Sequence, residues 1–113
     1  MARPEDTLSR ACLAAYGAAS GVLLLRNVVA RVHPYGKPEI SMMVGLGAGS
    51  PDIVGSVDGV PFAVELKVPG RKADPHQAAV HAAWRAMGWY VGVAHTVEEF
   101  GAHVEAARAR RAA

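Results

Sequence analysis

The 113-residue sequence predicts a mixed α/β fold, a central mixed sheet flanked by helices in the order α-β-β-β-α-β-α. Three observations carry that expectation. Two Val-rich runs flank Asp58-Gly59, and Asp-Gly between apolar runs is the strongest short-range signal for a two-residue hairpin loop. Asp74-Pro75-His76-Gln77 opens a helix with an N-cap, a proline at the first helical position and a reciprocal glutamine at the third. Tyr90 to Ala94 then alternates as a buried strand.

Taken in order, Glu5 to about Ser20 reads as an amphipathic helix, with Pro4 acceptable in its first turn. Leu8, Cys12, Ala15 and Ala19 follow helical spacing, Glu5 lies on the same stripe, and Gly21 is the expected stop. Val22 to Val32 is β-branched and apolar enough for a long strand, interrupted by Arg26 and Asn27 and polar again at Arg31. Two prolines and a glycine make His33 to Pro38 a loop. Ile40 to Val44 is a short strand or extended loop, and Gly45 to Ser50 is a glycine-rich approach to the hairpin. After Lys67, Val68 to Ala73 is a basic loop. The helix opened at Asp74 runs to about Met87 and ends at Gly88. Thr96 with Glu99 forms a second capping box, starting a helix that runs into the alanine-arginine tail.

The turn fixes a register. Val57 faces Val60, followed by Ser56 with Pro61, Gly55 with Phe62, Val54 with Ala63 and Ile53 with Val64. The next pair is Asp52 with Glu65, two carboxylates about 5 Å apart at Cβ, a destabilising arrangement unless something positive lies between them. Lys67 projects from the same face by strand alternation. Ile53, Val57, Val60, Phe62, Val64 and Leu66 form the opposite, apolar face. A divalent cation between the carboxylates completes this arrangement, which is that of a metal-dependent phosphodiesterase site.

Composition sets the frame. At this length residues 1–113 make one domain, and 51% hydrophobic content favours burial of some surface in an oligomer. Net charge is only +2, yet Lys67-Arg71-Lys72 and Arg108-Arg110-Arg111 are basic clusters suited to a polyanionic partner. A lone Cys12 excludes an internal disulfide framework and suits a reducing cytoplasm. No signal peptide is evident in residues 1–20, and no apolar stretch approaches the roughly 20 residues that span a bilayer. Gly45-x-Gly47-x-Gly49 lacks the preceding strand and following helix of a dinucleotide loop. His76 and His81 are five apart, the wrong spacing for a zinc site on one helix face, and the five histidines read as structural or solvent-facing. Trp84 and Trp89 read as core or interface.

This element order, with Pro51-Asp52 and Glu65-Leu66-Lys67, resembles the PD-(D/E)xK nuclease superfamily, most closely the small stand-alone VRR-Nuc domains of phages and bacteria. The glycine-rich segment before Pro51-Asp52, Gln77 near the start of the following helix, and Gly88 before the last strand support the narrower match. The resemblance implies a restriction-endonuclease-like αβββαβ core. It makes Asp52 and Glu65 metal-binding carboxylates, the Leu66 backbone carbonyl a further ligand, Lys67 the catalytic lysine and Gln77 a polar supporter from the helix. It also implies an acidic residue on the first helix reaching the metal, for which Glu5 is the better placed and Asp6 is rotated away. Hard oxygen ligands suit Mg²⁺ or Mn²⁺. Arg71 and Lys72, by loop position, would contact flanking phosphates.

The expected activity is hydrolysis of phosphodiester bonds in DNA, branched or duplex, by a cytoplasmic homodimer of bacterial or phage-infected cells. Two sites about a two-fold axis would suit paired cuts. The alternative from another class is a non-cleaving nucleic-acid-binding or assembly module on the same fold.

Overall fold

The computed structural model describes residues 3–112, with side chains over 3–110. Helix α1 (Pro4–Tyr16) leads into β1 (Val22–Arg26), β2 (Ala30–Val32), a short 3₁₀ turn (Pro34–Gly36) and β3 (Met42–Val44). The hairpin β4 (Ile53–Val57) and β5 (Val60–Leu66), helix α2 (Pro75–Ala86), β6 (Tyr90–Ala94) and α3 (Val97–Ala112) complete the chain. A four-stranded sheet has the order β1-β4-β5-β6, antiparallel except for the β5–β6 pair. The expected central mixed sheet flanked by helices is therefore the observed architecture.

The hairpin has the register that its turn dictates, from Val57 opposite Val60 to Ile53 opposite Val64. Asp58 and Gly59 both take positive φ, 50° and 84°, which matches the right-handed twist of the flanking strands. Gly55 is obligatory for another reason: a Cβ there would lie 1.8 Å from the Leu23 carbonyl oxygen of β1. Helix α2 opens with the full capping box, Gln77 N–H to Asp74 Oδ1 at 2.8 Å and Asp74 N–H to Gln77 Oε1 at 3.0 Å.

One sheet face carries the core. Ile53, Val57, Phe62, Val64 and Leu66 meet Cys12 from α1 and Phe100, Val104 and Ala107 from α3, all buried. Phe62 stacks on Tyr90 and meets the Phe100 ring edge-on, with centroids 5.6 and 5.8 Å apart. On the other face Glu65 meets His81 of α2. Both faces of β5 are covered, which is why Ala63 and Glu65 are buried as well as Phe62 and Val64.

Three expectations need correction. Helix α1 stops at Tyr16, with Gly17 as its C-cap, whereas Gly21 (φ 75°) sits in the turn to β1, its carbonyl accepting the Asp58 N–H. The run 22–32 is two strands, because Asn27 turns its side chain into the glycine-rich segment. β2 and β3 pair with each other as a separate two-stranded arm and do not extend the central sheet. The second capping box is also only half formed. Glu99 N–H bonds Thr96 Oγ1, but the Glu99 carboxylate accepts from the His95 N–H and ring. No described helix is long and apolar enough to cross a membrane.

Candidate metal and phosphodiester site

Where β4 begins and β5 ends, a polar cleft of about 250 Å³ opens. Its walls are Arg3, Glu5, Asp6, Asp52, Glu65, Leu66, Lys67 and Gln77. Five side chains singled out in the sequence, Glu5, Asp52, Glu65, Lys67 and Gln77, thus converge with Leu66, although they come from α1, the hairpin and α2.

Asp52 is fixed from both sides. Its Oδ2 accepts the Leu66 N–H at 2.8 Å, and its carbonyl accepts the Asn27 N–H at 2.7 Å. Glu65 is 3% exposed, and its carboxyl hydrogen-bonds Asp52. Burial, then that hydrogen bond and the Asp52 charge, push the Glu65 carboxyl up from 4.5 to about 9, against the pull of Lys67. Without a cation, the pair therefore keeps a proton at neutral pH.

Glu65 Oε2 lies 3.5 Å from His81 Nε2, and neither atom has a hydrogen-bond partner. His81 is held below the usual histidine range, first by burial and then by the Arg85 charge. A neutral imidazole therefore cannot neutralise Glu65. A buried carboxyl oxygen without a partner is costly, and a divalent cation would satisfy it. The donors fit a hard ion: two carboxylates with the Leu66 carbonyl beside them. Among the described residues no three His, Cys, Asp or Glu side chains form a ligand cluster. Such an ion would thus keep positions for water or phosphate oxygens, as Mg²⁺ commonly does.

Gln77 borders the cleft while completing the Asp74 capping box, so its structural and site positions coincide. Asp6, read in the sequence as rotated away, borders the cleft beside Glu5 and pairs with Arg26. Arg71 and Lys72 are exposed and do not line the cleft; the Arg71 carbonyl binds the His95 ring. In the C-terminal basic cluster, Arg108 donates to Asp58 Oδ2 (2.9 Å) and Ser20 O (3.0 Å), and Arg110 to Gly88 O. The Arg111 side chain lies outside the described residues. A larger concavity of about 420 Å³ between β6 and α3 is bordered by Tyr90, His95, Glu99 and His103. Their polar atoms pair with one another, and no carboxylate pair is present there.

Arg3, a wall of the cleft, escaped the sequence reading, as did His81 and Asn27. His81 carried a signal, since it lies four residues after Gln77 and so on the same helix face. Asn27 carried none beyond interrupting an apolar run. Its Nδ2 donates to Ser50 Oγ and Pro51 O, both at 2.8 Å, and its Oδ1 accepts the Leu46 N–H at 3.1 Å.

No family model matches the chain, and no curated protein matches it in sequence. Among solved structures it is similar to one described as a VRR_NUC domain, with a TM-score of 0.63 and 24% identity over 92% of this chain and 97% of that one. At that identity the likeness shows the fold, which is VRR-Nuc-like.

Proposed function

We propose that the chain is a divalent-metal-dependent nuclease that hydrolyses phosphodiester bonds in DNA, through a PD-(D/E)xK site. The observation that carries this reading is the Asp52–Glu65 pair lining a polar cleft beside Lys67, with Glu65 buried and its carboxyl held well above the usual carboxylate range. The VRR_NUC likeness supports it at the level of the fold.

Asp52, Glu65 and the Leu66 carbonyl would hold Mg²⁺ or Mn²⁺, which supplies an activated water and screening of phosphate charge when bound. The protein's own groups do the rest. Asp52, tied to the Leu66 N–H and the Asn27 N–H, cannot swing away from Glu65. Lys67 offers its ammonium to the charge that develops on the phosphoryl oxygens and orients the attacking water. Gln77 braces the helix side of the cleft, and Glu5 adds an acidic wall from α1. Arg71 and Lys72, exposed on the next loop, meet flanking phosphates. The substrate is structured or branched DNA.

The test is cleavage of labelled four-way junction, flap, splayed-arm, duplex and single-stranded substrates with Mg²⁺, Mn²⁺ or EDTA, beside Lys67→Met. Metal-dependent cutting that falls at least about 100-fold in Lys67→Met, with DNA binding retained, is the expected result. Wild-type cutting by the variant would refute the mechanism. DNA binding without cutting in any metal would favour the non-cleaving module.

A further inference from the structure

We infer that His95 is a positioning residue for DNA: as an imidazolium it latches the loop after β5, residues 68–73, to the start of α3, and so holds Arg71 and Lys72 in place for phosphate. The ligand rests on the nuclease reading above, whereas the latch stands on hydrogen-bond geometry. His95 Nδ1 faces the Glu99 carboxylate at 2.9 Å, and Nε2 faces the Arg71 carbonyl. Both partners only accept, so both ring nitrogens must carry hydrogen, and a neutral imidazole has only one N–H to give.

None of the other four histidines has this need. His33 and His76 each meet one carbonyl, those of Ile40 and Ala48. At His81, Nε2 has no hydrogen-bond partner. His103 meets the Val93 carbonyl with Nε2 (2.9 Å) and the Tyr90 hydroxyl with Nδ1 (2.6 Å). Because that hydroxyl can donate, a neutral ring serves both.

The loop has little else to hold it. It leaves the sheet where the Lys67 N–H bonds Ala94 O at 3.0 Å, one residue before His95 receives it back. Between those points lies a turn closed by the Arg71 N–H on Val68 O (3.0 Å), with Gly70 at φ 86°. The His95 bond is the loop's one hydrogen bond to another element among the described residues. With it broken, the exposed Arg71 and Lys72 are free to turn about Gly70. Binding DNA must then order them, an entropic loss that a latched loop avoids.

The groups around the ring set the direction of the switch. Glu99 and His103 face it from α3, Tyr90 from β6, Arg71 and Lys72 from the loop, and Lys67 from just after β5. The Arg71 carbonyl and then Glu99 hold the ring above the usual histidine value of 6.5, and the His95 contacts hold Glu99 below the carboxylate range. The latch is therefore closed below pH 6.5 and opens as pH rises through the raised value.

The experiment is NMR of the whole chain in EDTA from pH 6 to 9, for wild type, His95→Gln and Glu99→Gln. It follows the His95 ring nitrogens and the Lys72 amide nitrogen, whose shift senses the bond at the Arg71 carbonyl. Binding of a labelled four-way junction is measured by anisotropy in the same buffers at constant salt. In wild type the Lys72 shift should move with the His95 ring, and Glu99→Gln should lower that midpoint. His95→Gln should abolish the titration, because its amide can donate to Arg71 at every pH. Junction affinity of wild type relative to His95→Gln should fall about threefold to tenfold over the same interval, the worth of one hydrogen bond. Taking the ratio cancels the titration of Glu65 and the other groups. A Lys72 shift that ignores the His95 titration would overturn the inference, and so would a constant affinity ratio. No junction binding by any form would refute the nuclease reading and the DNA role together, and a Lys72 shift still coupled to His95 would tell that case from a failed latch.

Discussion

Replacing Glu65 with glutamine should stabilise the metal-free protein, by an amount that grows with pH. The Glu65 carboxyl releases its proton at 4.5 in the reference state and at about 9 in the fold. Between those values the native state holds more protons than the unfolded state, so stability falls as pH rises through the window. Each pH unit costs about 1.4 kcal/mol, or at most about 3 kcal/mol by pH 7 and about 5 by pH 8. Glutamine carries its hydrogens at every pH and can still donate to Asp52, so Glu65→Gln escapes this penalty. Urea unfolding in EDTA at pH 5, 6, 7 and 8 isolates the effect, because the other carboxylates cancel in the difference. Wild type and Glu65→Gln should nearly coincide at pH 5 and diverge steadily above it. Adding Mn²⁺ at pH 8 should recover wild type and leave the variant unmoved. A pH-independent difference, or a variant that is the less stable at pH 8, would show that Glu65 is not the proton-holding member of the pair.

Other consequences can be read at the bench. Asn27→Ala unties the glycine-rich segment from Pro51 and should lower unfolding stability by about 1–2 kcal/mol, with weaker Mn²⁺ binding in calorimetry. An unchanged urea midpoint would contradict the hub role. Arg108→Met keeps the side-chain stem but loses bonds to Asp58 and Ser20, at a cost of about 1–2 kcal/mol, while junction binding by the isolated chain stays at the wild-type level. Cys12 is fully buried, and burial, then the Glu98 charge, push its thiol up to about 11. Ellman's reagent at pH 8 should therefore miss it in the native protein and label it in urea. Because the fold keeps this proton after an unfolded thiol loses its own near 9.0, stability should also decline between pH 9 and about 11.

The parts legible in the sequence are those fixed by short-range chemistry. Asp58-Gly59 sets the hairpin register by its backbone requirements alone, and the register carries Asp52 to Glu65 without any knowledge of the rest of the fold. Asp74, Pro75 and Gln77 start α2 in the same local way. What escaped depends on partners distant in the chain. The end of α1 was ambiguous because Gly17 and Gly21 both follow an alanine-rich helix, and the deciding contact is the Asp58 N–H on the Gly21 carbonyl. The break at Asn27 depends on Leu46, Ser50 and Pro51, about twenty residues away. Asp6 lies at the cleft because Arg26 holds it there, a pairing that helical spacing does not show. Arg71 and Lys72 were judged by loop position, which gives proximity in the chain and not direction.

Helix α3 has a consequence for the order in which the chain becomes a protein. Phe100, Val104 and Ala107 complete the core against Phe62, Val64 and Leu66, and Arg108 fastens the hairpin turn to the start of β1. During synthesis every strand of the sheet emerges before this helix. The hairpin can form early from its local turn, but its apolar face is covered only in part, by α1, until the last helix arrives. The nascent chain therefore passes through a stage rich in bare strand surface, the kind that chaperones hold. A premature stop ahead of Phe100 would leave the chain at that stage, a target for proteolysis.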